Sequence, residues 1–305
     1  MSAEQPYHRR PLIFALVLAV LLVVGVLTGA KIVYDRAAHQ PVGMSIVDAP
    51  DAAACGPLLD ALPDTLARHP RAELADPAPE GAAAWASNST DRITLRCGIT
   101  LPLQYTKLSE TTQAAGAAWL RVKDATPGAN LETWYTVDRF PIVAVTAAAD
   151  ATDPVAGLDE ALSKLDAKKF EPHPVPLTDL KRGNADACPQ LMNALPETLG
   201  EYQRSDIKLE QTMAAWTATG LEPIVLRCGV ADAPGYAAGA QLQQVDNVPW
   251  FLDTTLASGT TAGTWYALGR SANVAVSMPQ SAGNTALVEF TTAIDRNLSE
   301  QAPAQ

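Results

Sequence analysis

Hydrophobic positions along the chain follow three rhythms. The first is an unbroken run: Pro11 to Ala30 holds twenty consecutive uncharged residues, most of them Leu, Val, Ile or Ala. At 1.5 Å per residue such a helix spans roughly 30 Å, the thickness of a bilayer's hydrocarbon core. The run predicts a single transmembrane helix over 11–33, preceded by a cytoplasmic N-terminus at 1–10. A cleaved signal peptide ending at Thr28-Gly29-Ala30 is the competing reading, yet secretory apolar regions run only about 7–15 residues. An uncleaved anchor is therefore expected. The second rhythm is helical. Cys55, Leu58, Leu59 and Leu62 share one helix face before Pro63, as Cys188, Leu191, Met192 and Leu195 do before Pro196. Helical segments are also expected near Val155–Leu165 and Thr285–Ile294. The third rhythm is alternation. Ile93–Cys97 and Ile224–Cys228 read as strands, with the Cys on the apolar face and Arg96 or Arg227 on the other. Further strands are expected around Trp134-Tyr135 and Ile142–Val145, joined by a turn at Arg139, and around Trp265-Tyr266 and Asn273–Val276.

The rarest residues show that this pattern occurs twice. Trp85 and Trp216, Trp119 and Trp250, and Trp134 and Trp265 are each 131 residues apart, as are Cys97 and Cys228, Arg96 and Arg227, and Arg139 and Arg270. Near the start of each unit the offset is 133, for Cys55 and Cys188 and for Leu62-Pro63 and Leu195-Pro196. A period this long marks tandem domains rather than a solenoid. The expected units are 52–167 and 185–298. A tether at 34–51 precedes them, a linker at 168–184 with Pro172, Pro174 and Pro176 separates them, and a polar tail at 299–305 follows. Strands flanked by terminal helices, without a βαβ alternation, predict two α+β domains, each a mostly antiparallel sheet covered on one face.

Charge narrows the function class. The 305 residues carry 22 Lys and Arg against 33 Asp and Glu, a net charge of −11. Beyond residue 36 the remainder holds 18 basic and 31 acidic residues, which argues against nucleic acid as a partner, since phosphates require a basic surface. Basic residues flank the apolar run almost evenly, so orientation rests on the four cysteines. Paired thiols imply an oxidising compartment, and the acidic remainder is expected outside the cytoplasmic membrane. Pairing within each unit, Cys55 with Cys97 and Cys188 with Cys228, lets either unit exist alone; symmetric pairing across units remains open.

The repeated arginines are the candidate ligand-binding groups. Arg96, Arg227, Arg139 and Arg270 each present a rigid guanidinium suited to carboxylate or phosphate, against the alternative of an internal ion pair. The tryptophans are expected in the core, with a sugar-stacking platform as the alternative. Catalysis is not expected: His8, His39, His69 and His173 have no counterparts in the repeat, and no GxSxG, SxxK or glycine-rich phosphate loop occurs. Neither metal nor cofactor is expected.

Ala214-Ala215-Trp216, Leu226-Arg227-Cys228-Gly229-Val230, Val248-Pro249-Trp250 and Gly269-Arg270 together resemble an actinobacterial family of membrane-anchored envelope proteins of unknown function. The first unit carries Ala83-Ala84-Trp85, Leu95-Arg96-Cys97-Gly98 and Trp119, and departs at Arg92 and Asp138, where the second has Pro223 and Gly269. The resemblance implies an exported, anchored protein and lends no catalytic residues; the tandem copy departs from the family's usual single domain. These readings point to a non-enzymatic envelope protein whose extracytoplasmic domains bind a protein partner. A receptor for a small ligand or glycan, using the repeated Arg and Trp residues, is the second reading. The first predicts an exposed apolar patch, the second a concave pocket at Arg227 and Arg270.

Overall fold

A computed structural model describes residues 9–301 apart from 39, 127, 238, 257 and 258. Residues 1–8 of the expected N-terminal segment and 302–305 of the expected tail lie outside the described residues. Helix α1 (Arg9–Ala38) contains the apolar run. Its stretch Ile13–Val33 has a mean hydropathy of 2.8, is nowhere buried against protein, and is long and apolar enough to cross a membrane.

The first unit begins with a 3-10 turn, Ala52–Cys55, and α2 (Gly56–Asp60). There follow β1 (Thr65–Leu66), β2 (His69–Ala72), β3 (Ala82–Ala86), β4 (Arg92–Cys97), β5 (Thr111–Ala114), β6 (Ala117–Lys123), β7 (Leu131–Thr136), β8 (Arg139–Phe140) and β9 (Val143–Ala148). Helix α3 (Asp159–Leu162) and β10 (Asp166–Ala167), which pairs with β8, close it. The second unit repeats the plan: α4 (Cys188–Ala194), β11 (Thr198–Leu199), β12 (Tyr202–Arg204), β13 (Met213–Thr217), β14 (Ile224–Cys228), β15 (Gln243–Val245), β16 (Val248–Leu252), β17 (Ala262–Ala267), β18 (Val274–Pro279) and α5 (Gly283–Asn297). Each unit forms one eight-stranded sheet, ordered β1-β2-β3-β4-β9-β7-β6-β5 and β11-β12-β13-β14-β18-β17-β16-β15. Every adjacent pair within them is antiparallel. The α+β class holds for both units.

One face of each sheet carries the main core. Trp85 and Trp119, and Trp216 and Trp250, are sealed from solvent there among the leucines and valines of the strands and helices. Trp134 is buried as well and Trp265 half-buried. The indole N–H of Trp85 donates to Pro63 O at 2.8 Å, and that of Trp216 to Pro196 O at 2.9 Å. The repeated Leu-Pro step thus supplies the acceptor that a buried indole requires. Disulfides Cys55–Cys97 and Cys188–Cys228, with Cα atoms 6.0 and 5.7 Å apart, staple the residue capping α2 to β4 and the start of α4 to β14.

Three expectations change. The helix expected over Val155–Leu165 shrinks to the four residues of α3. Asp153 and Gly157 stand at φ of +46° and +92°, a left-handed backbone that ends any right-handed helix there. The corresponding α5 begins at Gly283, contains no later Gly or Pro and runs 15 residues. Strands β3 and β13, where runs of Ala carry little hydrophobic contrast, and the hairpins around Trp119 and Trp250 are elements beyond those expected.

The second face of each sheet is covered too, by the stretches expected as tether and linker. Pro41-Val42 and Pro174-Val175 stand 133 residues apart, so the repeat begins at these prolines. Val42 pairs with Leu74, donates its N–H to Glu73 O at 2.8 Å and packs against Ala84 and Ala86. Val175 and Leu177 pack likewise on Met213, Ala215 and Val225, joined there by Leu108 of the first unit. The two units therefore touch. Lys123 N–H donates to Gly220 O at 2.7 Å, docking the β13–β14 hairpin onto the first sheet.

Candidate functional site

The Leu-Arg-Cys-Gly motif explains how each unit builds its second face. Leu95 and Leu226 point into the core, and Cys97 and Cys228 reach the helix. Gly98 and Gly229 follow at φ of +84° and +73°. A Cβ on Gly98 would lie 2.3 Å from Ala52 N, and one on Gly229 2.6 Å from Ala185 Cβ. Only glycine lets the strand end bend beneath the incoming segment. The arginine, on the opposite side of the strand, meets that segment as it crosses.

The two copies of this arginine have diverged. Arg227, 2% exposed, donates from Nη1 to the carbonyls of Leu177, Thr178 and Leu180 at 2.7, 2.7 and 3.1 Å. Its Nη2 meets Glu210 at 3.4 Å. Arg227 borders a cleft of about 340 Å³ with Arg182 and Glu210, but these donors are turned to the chain itself. Arg96 is half-buried. Its Nη2 donates to Ser45 O at 2.8 Å and Ser45 Oγ at 3.2 Å. Among the described residues no carboxylate pairs with Arg96 and no group accepts from its Nη1. The position matching Glu210 is Pro79. Arg270, 4% exposed, binds Asn247 O at 2.6 Å and Asp295 Oδ1 at 2.9 Å. Arg139 meets its own neighbour Asp138 at 3.2 Å and the carbonyl of Gly116, which matches Asn247. Three of the four candidate arginines are thus braces within the fold, each neutralised by an acid of its own unit. Arg96 alone lacks one.

Arg96 lines a pocket of about 320 Å³ on the second face of the first sheet. Val47 and Asp48 of the crossing segment form one wall and Ile99 to Pro102 another. The floor is Thr133, Tyr135, Ala144 and Thr146. Thr133, Tyr135 and Thr146 also line a second pocket of about 260 Å³, whose far side is Tyr202, Leu221 and Glu222 of the second unit. The two hollows share a floor and form one trough leading to the seam between the units. The Thr133 and Thr146 hydroxyls bond each other at 2.8 Å, and Thr133 also acts on the Tyr135 phenol through a side-chain hydrogen bond. Burial pushes the Tyr135 phenol above its usual range, opposed by Arg96, and burial lowers Arg96 somewhat. Burial, reinforced by Glu201 and Glu222, raises Tyr202 strongly. Its hydroxyl is buried without a hydrogen-bond partner. Both phenols are therefore neutral donors at physiological pH.

On the second sheet the equivalents of this floor are Thr264, Tyr266, Ala275 and Ser277. Leu177, Leu180 and Phe251 close over Tyr266 and Ala275. The remaining hollow, about 390 Å³ and bordered by Thr264 and Ser277, lies against Leu103 and Thr106 of the first unit. The sequence signalled Arg96 through the repeat but not the floor threonines or Tyr135, which are unremarkable residues until the strands are paired. It also missed Arg121 and Glu132, a fork at 3.1 and 2.9 Å beneath the docked hairpin. Their counterparts are Leu252 and Gly263, so the offset search passed them by. Among the described residues no group of three or more His, Cys, Asp or Glu side chains is placed to hold a metal ion.

No curated protein matches the sequence significantly. A family model described as a protein of unknown function, DUF3515, matches residues 16–170 and again 166–303. The second match starts upstream of Pro174, in agreement with the crossing segment being part of the repeated unit. The chain belongs to the DUF3515 family and carries its domain in two tandem copies.

Proposed function

We propose that this protein is a non-enzymatic, single-pass component of the bacterial cell envelope. Its paired domains lie outside the cytoplasmic membrane and bind a protein partner. The apolar helix and the two disulfides support the location. The observation that carries partner binding is the asymmetry between the copies. The second sheet's outer face is crossed by the chain's own segment and by Leu108, and the hollow left there is walled by Leu103 and Thr106 of the first unit. The first sheet's face keeps a trough, rimmed by Val47 (45% exposed), Leu131 (44%) and the neighbouring Ile46 (68%). Apolar side chains grouped beside a concave face mark an interaction surface more than a catalytic centre.

The test is photocrosslinking in intact cells from a reactive residue placed at Val47 or Leu131, with Val288 on α5 as the control site. One dominant protein adduct from the trough sites, absent from Val288, is the expected result. Equal labelling from all three sites, or none from the trough, would contradict the reading. Protease added to spheroplasts checks the topology: digestion of the domains is expected, and full protection would place them in the cytoplasm.

A further inference from the structure

The hollow on the second sheet differs from the trough in its chemistry and in how it is walled. It encloses about 390 Å³ between the units. Its floor is Thr264 and Ser277, which stand opposite each other on β17 and β18. The same pair on the first sheet, Thr133 and Thr146, is joined by its own hydrogen bond. On the second sheet a serine replaces one threonine, and neither hydroxyl has a partner among the described residues. Ser277 is nonetheless only 6% exposed. An unpaired buried hydroxyl is unfavourable, and a polar atom of a ligand in the hollow relieves it. Around these hydroxyls the walls are apolar: Val175, Leu177 and Leu180 of the crossing segment, Pro223, Leu256, and Leu103 of the first unit. The walls are held in place by the fold itself. Val175 to Leu180 makes two successive turns, Thr178 N–H to Val175 O and Leu180 N–H to Leu177 O, both at 3.2 Å, with Leu177 at φ of +68°. Arg227 fixes the carbonyls of Leu177, Thr178 and Leu180. On the first unit's side, Thr106 pairs with His173 just ahead of the segment.

We infer that this hollow binds a small uncharged amphiphile, an aliphatic chain ending in a hydroxyl or ester group. The apolar walls take the chain, and Ser277 and Thr264 meet the oxygen of its polar end. At roughly 30 Å³ per water-sized unit, the space admits about a dozen non-hydrogen atoms. Charge favours a neutral end. Two carboxylates border the hollow: Asp179, which is exposed, and Glu222, which already accepts from Thr261 at 2.7 Å. Among the described residues no Lys or Arg lines it, so the carboxylate of a fatty acid would meet repulsion and no counter-charge. A sugar suits it less well, because most of its hydroxyls would face apolar side chains. Leu103 and Thr106 come from the first unit and the floor from the second, so an occupant also bridges the two. The hollow shares no residue with the Arg96 pocket, and the inference does not depend on the partner proposed above.

The experiment places the full chain in nanodiscs with three diazirine probes that share a chain of about ten carbons and end in a hydroxyl, a carboxylate or a methyl group. Peptides labelled on irradiation are mapped by mass spectrometry, with α1 in the bilayer as the reference for membrane partitioning. After that correction the hydroxyl probe should label Val175–Leu180 at least tenfold more than the carboxylate probe and several-fold more than the methyl probe. Ser277→Ala should erase the advantage over the methyl probe. Leu103→Trp, at a position 46% exposed, should occlude the hollow and abolish labelling there. That variant carries the test if Ser277→Ala fails to fold. Equal labelling by all three probes, stronger labelling by the carboxylate, or unchanged labelling in folded Leu103→Trp would each overturn the site. Two competitors then identify the source of the ligand, free decanol and dioleoylglycerol built into the disc. Competition by decanol alone assigns a free alcohol, competition by dioleoylglycerol assigns a membrane lipid, and competition by neither overturns the inference.

Discussion

Arg227 and Arg96 occupy the same strand position, yet the residues around them assign opposite roles. Arg227→Met would leave three carbonyls of the crossing segment without their donor in a partly buried place. Each unsatisfied buried group costs about 1–3 kcal/mol, so a loss of roughly 3 kcal/mol or more is expected in urea denaturation. Arg96→Met gives up one residue's contacts beside solvent, and about 1 kcal/mol is expected from that loss. Equal losses would mean that the second sheet does not depend on its strip. Tyr266 provides a pH test. Burial, helped by the Asp253 charge, pushes its phenol up to about 12. The folded state therefore holds this proton more tightly than the unfolded chain, whose tyrosines titrate near 10. The stabilisation is complete below about 10 and is lost as pH rises from there through about 12. Urea midpoints at pH 9, 10 and 11 should fall, and Tyr266→Phe should flatten the decline. A wild-type midpoint unchanged over that range would refute it.

At the scale of elements, the two units differ mainly in how their helices close the core. In the second, α5 lays Ala286, Leu287, Phe290 and Ile294 on the sheet, with Phe290 edge-on to Trp216 at 5.1 Å. In the first, α3 is four residues long, and turns around Val155 and Leu158 fill the same role. Both units depend on a staple between the first helix and the central strand. The bonds enclose sequence separations of 42 and 40 residues, which the chain-entropy relation converts to about 4 kcal/mol each. Replacing Cys188 and Cys228 with Ala together should lower stability by about that amount without disturbing the other disulfide. Detection of a Cys55–Cys188 or Cys97–Cys228 peptide by non-reducing mapping would show a different framework.

For the whole molecule, the decisive feature is that the duplication is not two beads on a string. The strip from Pro174 to Leu180 belongs to the second unit, Leu108 packs against it, and the β13–β14 hairpin docks at Lys123. Trypsin applied under native conditions should spare Lys181 and Arg182, because Ala231 N–H donates to Lys181 O and Arg182 pairs with Val230. Rapid cleavage there, separating the units, would show that the strip is not held. The membrane side is equally tight. Only residues 39–41 lie between the end of α1 and the first paired residue, Val42. Four Cα steps reach at most about 14 Å. With α1 in a bilayer, the trough lies near the membrane surface, where the proposed partner would have to be available.

Much of this plan is legible without coordinates. Twenty uncharged residues specify the apolar helix because the length of a helix follows from its residue count. The offsets of Trp, Cys and Arg specify a duplication because rare residues seldom coincide by chance. Pairing within each unit was one of three possibilities from sequence, and the fold selects it by bringing α2 beside β4. Which arginine is a brace and which is open was not legible, since Leu-Arg-Cys-Gly reads the same in both copies. That difference depends on partners far away in sequence: Leu177 and Glu210 for Arg227, only Ser45 for Arg96. The trough likewise exists only because β7 lies beside β9 and the second unit docks across the first. Local pattern determines which elements form, since periodicity and backbone geometry act over a few residues. Which polar groups are satisfied, and which remain for a partner, is decided by contacts between distant segments, and those only the tertiary structure brings together.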